Sequence, residues 1–515
     1  MNIKQFLEKY NAAKNKQSEW RSTHEECYHY AMPNKNNFSS DGNTSGNGSR
    51  FKNNHLFDNT AVEATSKFAS RFQQLTAPVE QQFFKITLSD YAKQEIYKQN
   101  KPEIAEMILK ENQGILDEVS AKVYHFFTRS NINSNIHECF HDLAIGTCSL
   151  IVNENNDPRI PFLCSSIPLY QLSILEGKFG TIDTIFRKHY APIKSIPSMW
   201  PDASLEGVLG ESELNSPDEK IEIIEGVSYN DETFKYDYMV VVKDKEIFSA
   251  IYNTNPFVVS RYKVASGEVY GRGPLMDILN DIKLVNKAQE YVLKAAEKAS
   301  SEFYLVAGSD TMAAELGLTL GPDVVINIDS SEKFERLPFM GRVDVTQLFV
   351  AEKQANIKRT LLATSIDRPK ALSPEEINAL SNENIYDMIP IANRIYNEFL
   401  TPILRRMLDI LIRKSIIPEF DIDNGLKIEY TTAITMLNKQ KETQEILTTM
   451  SQIANSFGPD VANTIIDPYK LAKRIAENNN LLSSFVRTDI EIQQMQEQAQ
   501  QQQQQAQVAA GMEQQ

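Results

Sequence analysis

The sequence predicts a helix-rich α+β fold. Three observations carry that expectation. Apolar residues recur at three- and four-residue steps through most of 1–147, which is the helical period. From Cys148 the period changes: CSLIVNE, FGTIDTIFRKHY, KIEIIEGVSYN and FKYDYMVVVK alternate, or run β-branched and aromatic, between turn residues. Residues 148–262 therefore read as mostly β. From Pro274 the helical period returns and dominates the rest of the chain before a glutamine-rich end.

Each element follows from local chemistry. Residues 3–31 form a helix with Phe6, Leu7, Tyr10, Ala13, Trp20, Cys27 and Tyr30 on or near one face, ended by Met32-Pro33. The polar stretch 34–54, rich in Asn, Ser and Gly, is a loop. DNTAVEATSKFASRFQQLTAP is the second helix, with Asp58 or Asn59 as cap and Pro78 as stop. Helical periodicity then covers about 90–147.

Gly273-Pro274 starts the central helix. Proline lacks only an N–H that the first turn leaves unpaired anyway, and Asp277 sits near the positive end of the helix dipole. Leu275, Ile278, Leu279, Ile282, Val285, Val292, Ala296 and Ala299 share one apolar face, with Lys283, Lys287, Glu290, Lys294 and Glu297 around the rest. Between Phe303 and Val345 lies a compact mixed insert, with FYLVAG and DVVINI as strands and MAAELGL as a short helix. A helix over about 346–364 and the basic loop SIDRPKAL follow. Ser373-Pro374-Glu375-Glu376 is a full helix-start signature. That helix reaches toward Lys414, and interior prolines at Pro390 and Pro402 predict kinks or breaks. LKIEYTTA reads as a strand, and 440–482 as helices broken at Gly458-Pro459 and Asp467-Pro468. The glutamine tract at the end cannot bury a core by itself.

Composition narrows the function classes. With 42 % hydrophobic residues in 515, the chain has material for sizeable cores. No apolar run reaches about 18 residues, so no membrane span is expected, and MNIKQFLEKYNAAKNK lacks the apolar centre of a signal peptide. Four scattered cysteines (Cys27, Cys139, Cys148 and Cys164) make no disulfide framework and fit a reducing, intracellular setting. A net charge of −15 argues against coating nucleic acid by bulk attraction, but leaves room for a few local cations.

Two common catalytic motifs are missing: the sequence holds no GxxxxGK[ST] and no GxSxG. Gly271-Arg272-Gly273 lacks the third glycine and the βαβ setting of a dinucleotide site. Its expected role is a tight turn into the helix. The best metal candidate is His137-Glu138-Cys139-Phe140-His141, where His137 and His141 share a helix face and Cys148 or Asp142 could complete a zinc set. Cys139 would point away from that face, so structural histidines are expected, with no metal, no cofactor and no catalytic residue.

The order of the parts resembles a known family. EWRSTHEECYHYAMP, then LFDNTAVEATSKFASRFQQLTAPVEQQFFKI, AIGTCSLIVNE, VYGRGPLMDILNDIKLVNKAQE and LSPEEINAL resemble, in order and spacing, the portal or head-to-tail connector proteins of short-tailed, podovirus-type bacteriophages. The resemblance covers about 20–437. It implies a closed ring of about twelve subunits, a dodecamer, at one capsid vertex around a channel for double-stranded DNA packaging and ejection. It implies a wing at 1–272, a first stem helix at 273–301, a clip at 302–345, a second stem helix at 346–364 and a tunnel loop at 365–372. Further wing at 373–437, a crown at 438–484 and a tail at 485–515 complete the chain.

The implied partners are further copies of the chain, DNA, the large terminase subunit that carries the ATPase motor, the major capsid and scaffolding proteins, and a tail adaptor. The implied location is the virion's portal vertex, with the host cytoplasm during assembly. Leu275, Ile278, Leu279, Ile282 and Val285 become stem packing residues, and Lys358, Arg359, Arg368 and Lys370 the cations placed at the channel constriction. Two other classes compete: a helical scaffold or adaptor without a ring, and a metal-dependent hydrolase built on His137 and His141.

Overall fold

The computed structural model describes residues 2–458 except 36–37, 39–55, 206–207, 211–215, 301–303, 308–332, 337–342, 363–387 and 421–424, together with 471–472 and 474–475. Helix α1 spans Ile3–Ala31, and Asn2 caps it by donating its N–H to Gln5 Oε1 at 3.3 Å. Helix α2 spans Thr60–Thr76. Of the two cap candidates, Asp58 does the work: its carboxylate accepts the Thr60 N–H at 3.1 Å and the Thr60 hydroxyl at 3.0 Å. Strand β1, Phe84–Leu88, was not expected. Helices α3 (Asp90–Gln99), α4 (Pro102–Arg129) and α5 (Ile132–Ile145) then fill the stretch read as helical.

The β region begins one residue early, with β2 at Thr147–Glu154, and continues through β3 (Phe162–Ser166), β4 (Leu172–Glu176) and β5 (Ile182–Pro192). A short helix α6 (Ile196–Met199) precedes β6 (Lys220–Asn230), β7 (Lys235–Val242), β8 (Lys245–Tyr252) and β9 (Phe257–Arg261). Two antiparallel sheets result, in the orders β3-β2-β9 and β4-β5-β6-β7-β8. The larger sheet is buried on two faces, and residues of opposite parity along β6 enter different cores. Ile221, Ile223 and Val227 join the main core. Ile224 joins a small cluster with Phe6, Tyr10, Ala13, Phe186, Met239 and Val241 beneath the start of α1.

Helices return at α7 (Pro274–Asp277), with Pro274 in the first turn as expected. The predicted single helix over 273–301 is interrupted, however. Ile278 leaves the helical region at φ −106°, ψ 7°, and a new helix α8 runs Leu279–Ser300. Strands β10 (Tyr304–Ala307) and β11 (Lys333–Arg336) pair antiparallel, so the partner of FYLVAG is KFER. DVVINI and MAAELGL lie outside the described residues. Helix α9 spans Val343–Thr360, three residues ahead of the expected start, and Leu362 ends it in the left-handed region at φ 55°.

The helix start at Ser373 also lies outside the described residues, and helix is present over 388–395 with Pro390 in it. At Pro402, where a kink or a break is expected, the helix is irregular but does not end. A π turn at Tyr396–Leu400 passes directly into helix α10 (Thr401–Arg413), with the Thr401 N–H reaching the Tyr396 carbonyl. Proline cannot supply the next ladder bond, and the wider turn absorbs that loss without ending the helix. Strand β12 (Leu426–Tyr430), as expected, is followed by helix α11 (Ala433–Phe457), which ends at Gly458. Strand β12 pairs antiparallel with β1, Ile86 facing Ile428, and so joins the far end of the chain to its beginning.

Candidate functional site

The region that sequence reasoning singles out is built from α7, α8 and α9. Leu275, Ile278, Leu279, Ile282 and Val285 are all buried, and they share the main core with Val350, Ile357 and Leu361 of α9 and its end. The predicted apolar face is therefore correct over its first half. Farther along α8 it is not: Val292 is half-buried, Ala296 is exposed, and Ala299 carries no described side chain. Leu284, Tyr291 and Leu293 on α8, with Leu348 and Phe349 on α9, are also exposed. The single chain thus buries the base of this helix pair and leaves its outer part uncovered.

Polar ties that sequence reasoning missed lock the base. Asp281 accepts from Lys353 Nζ and from Asn356 Nδ2, each at 3.1 Å. Asn286 Oδ1 accepts the Phe57 N–H at 2.7 Å, and Asp58 Oδ1 accepts Gln354 Nε2 at 2.6 Å. Both helices are thereby held to the start of α2. The available signal was Asn286 beside Val285, a polar residue at the edge of an apolar stripe. Its partners are more than two hundred positions away, so no local pattern could name them.

Lys358 and Arg359 are exposed in the last turn of α9, where cations complement the helix dipole. Arg359 Nη2 donates to Asn356 Oδ1 at 3.1 Å. The Leu362 carbonyl beyond them accepts from the Arg71 guanidinium. Arg368 and Lys370 lie outside the described residues, as does 365–372 as a whole.

The turn Gly271-Arg272-Gly273 is a backbone crossing. A Cβ on Gly271 would lie 2.3 Å from the Gly146 carbonyl oxygen, and one on Gly146 would lie 2.1 Å from the Gly271 carbonyl oxygen. The Gly271 N–H is taken by Thr147 Oγ1 at 2.8 Å. The two chains touch directly, and the glycines serve packing.

Each histidine of the cluster makes one bond within the fold through its Nδ1. His137 Nδ1 meets Gln73 Oε1 at 3.2 Å, and His141 Nδ1 donates to the His137 carbonyl at 3.0 Å. Cys139 is buried, and its Sγ donates to the Ser149 carbonyl at 3.1 Å. Burial lowers the pKa of His141 to about 4. Among the described residues no group of three or more His, Cys, Asp or Glu side chains is placed to hold a metal, and no helix is long and apolar enough to cross a membrane.

The chain belongs to the bacteriophage head to tail connecting protein family, whose model matches residues 4–486. It is similar to the portal protein of Salmonella phage epsilon15, at 20 % identity over 371 residues covering 67 % of this chain. The match spans 65 % of that relative's length.

Proposed function

We propose that the chain is the portal protein of a tailed phage, a closed ring of about twelve copies at one capsid vertex. The observation that carries this is the half-covered helix pair: α8 and α9 are fixed at their base, yet expose Tyr291, Leu293, Leu348 and Phe349 beyond it and Leu284 on the outward side of the base itself. An apolar surface of this kind calls for further copies of the same helices. In this reading α7–α8 and α9 are the stem, 302–345 the clip, 365–372 the tunnel loop, 438–484 the crown, and 1–272 with 373–437 the wing.

The protein does no chemistry in this role. The clip docks the large terminase subunit during packaging and a tail adaptor afterwards, while the wing meets major capsid and scaffolding proteins. The ring assembles in the host cytoplasm and ends in the virion. A channel has to pass DNA of any sequence, so only backbone electrostatics act on it. A chain of net charge −15 repels phosphates and centres the duplex, while Lys358, Arg359, Arg368 and Lys370 keep repulsion from blocking the way in.

Two measurements test the proposal. Mass photometry of the purified protein should give one closed oligomer at a multiple of 58.5 kDa. A monomer at every concentration overturns the ring. Replacing Lys358, Arg359, Arg368 and Lys370 by Glu should leave folding and assembly intact but reduce packaged DNA, more so at low salt. Packaging equal to wild type at low and moderate salt removes these residues from the channel.

A further inference from the structure

Two imidazoles on α5 are oriented as ligands. His137 and His141 lie one turn apart on the helix, with their ring centres 4.9 Å apart. The run His137-Glu138-Cys139-Phe140-His141 has the HExxH spacing, which places two histidines on one helix face. Each ring is fixed through Nδ1. Gln73 donates its Nε2 to the Asn133 carbonyl at 3.1 Å, so its Oε1 is left to accept from His137 Nδ1. His141 Nδ1 donates to the His137 carbonyl, which can only accept. In each neutral ring the proton therefore sits on Nδ1, and Nε2 keeps its lone pair.

Neither Nε2 has a partner, and neither is sealed from water. His24 and His189 differ, because both nitrogens of each are buried without a partner. The ring spacing suits one shared ion. With metal–nitrogen bonds of about 2.0–2.1 Å, two imidazoles on one ion have ring centres about 4.5 Å apart at a right angle and about 5.2 Å apart at the tetrahedral angle. The observed 4.9 Å lies between these. No nearby carboxylate joins the pair. Glu138 Oε1 is 3.2 Å from Lys35 Nζ, and Asp142 is buried against the Tyr28 hydroxyl. A glutamate held by a lysine is a poor general base, and among the described residues no third side chain completes the set. The arrangement is that of a binding site, with water in the ion's remaining positions.

We propose that His137 and His141 bind one divalent transition-metal ion through their Nε2 atoms. The ion belongs to the class that takes imidazole nitrogen, such as zinc, nickel or copper, and not to the oxygen-seeking class of magnesium and calcium. It bridges successive turns of α5 and, through His137 and Gln73, bears on α2. Lys35 opposes it, because its Nζ also donates to the Glu138 carbonyl at 3.3 Å and keeps a positive charge beside this turn. The site belongs to the single chain and stands whether or not copies form a ring.

The test is calorimetric titration of the full chain with Zn²⁺, with Mg²⁺ as the control. His137→Asn and His141→Asn keep a donor near the place of Nδ1 and delete Nε2. Wild type should bind one Zn²⁺ per chain and ignore Mg²⁺. Each variant should bind at least about tenfold more weakly, and the double variant should be little weaker than either, because a chelate is lost with its first arm. Lys35→Met should tighten binding by removing the opposing charge. Unchanged affinity in both Asn variants overturns the site. So does a separate half-loss of bound Zn²⁺ from each, since the histidines would then act alone. A second reading needs no variant: with one equivalent of Cu²⁺, electron paramagnetic resonance should show two coupled nitrogens in wild type. A single coupled nitrogen there overturns the proposal even if the variants fail to fold.

Discussion

Tyr28 donates its hydroxyl to Asp142 Oδ1 at 2.6 Å, and both side chains are buried. The bond fastens α1 to α5 in the main core. Burial raises the Asp142 pKa from 3.8 to about 6, against the hydrogen bond and the attraction of Lys35, which lower it.

The sign of the pH effect follows. Because its folded pKa is raised, Asp142 gives its full contribution below pH 3.8 and loses it as pH rises toward 6, about 3 kcal/mol in all. Asp142→Asn keeps an acceptor for Tyr28 and removes the titration. Its melting temperature relative to wild type should climb between pH 4 and 6.5. A difference that stays flat with pH would contradict the burial of an ionised Asp142.

His24 works in the opposite direction. It is buried between Trp20 and Tyr270, neither ring nitrogen has a hydrogen-bond partner, and burial lowers its pKa from 6.5 to about 3. A lowered pKa means stability that is present above pH 6.5 and lost as pH falls toward 3, about 5 kcal/mol over that window. Thermal melts of His24→Phe should show less acid loss than wild type between pH 6.5 and 4. Equal loss would place the proton elsewhere.

Ile282 and Leu284 separate folding from assembly. Ile282 is 4 % exposed in the single chain, so Ile282→Asp buries an unpaired charge and should destabilise the chain by about 4 kcal/mol or more. Leu284 is 45 % exposed, and Leu284→Asp should change urea unfolding by less than about 0.5 kcal/mol while lowering the oligomer fraction. Equal unfolding of the two variants would reverse the phase assigned to α8.

Gly271→Ala tests the backbone crossing. The new methyl would meet the Gly146 carbonyl and Arg261 Cβ, neither of which is the free end of a flexible side chain. The expected cost is about 3 kcal/mol, read as a lower urea midpoint at unchanged m-value. Wild-type stability would mean that the two segments can separate at little cost.

The sequence made some of this legible and not the rest, for physical reasons. Periodicity placed α1 at Ile3–Ala31 and the buried set from Leu275 to Val285, because helix phase is a local property. It did not show β1, since FKITL is a short strand whose partner is β12, far along the chain. The break at Ile278 was equally hidden, lying within a continuous apolar pattern. At Pro402 a local rule leaves a kink and a break equally open, because the π turn that absorbs the proline is not written in the residues around it. Of the candidate site, the turn at Gly271 was visible, but the need for glycine at Gly146 was not, because the clash lies between segments that meet only after folding.

The pairing of β1 with β12 has a consequence for how the protein is made. Thr87 and Lys427, neighbours in the sheet, are 340 positions apart. At about 5–20 residues per second, β1 leaves the ribosome roughly 20–70 s before its partner exists. For that interval its edge is open to strands of other nascent chains. Temperature and translation speed should therefore govern the yield of soluble protein through this one delay.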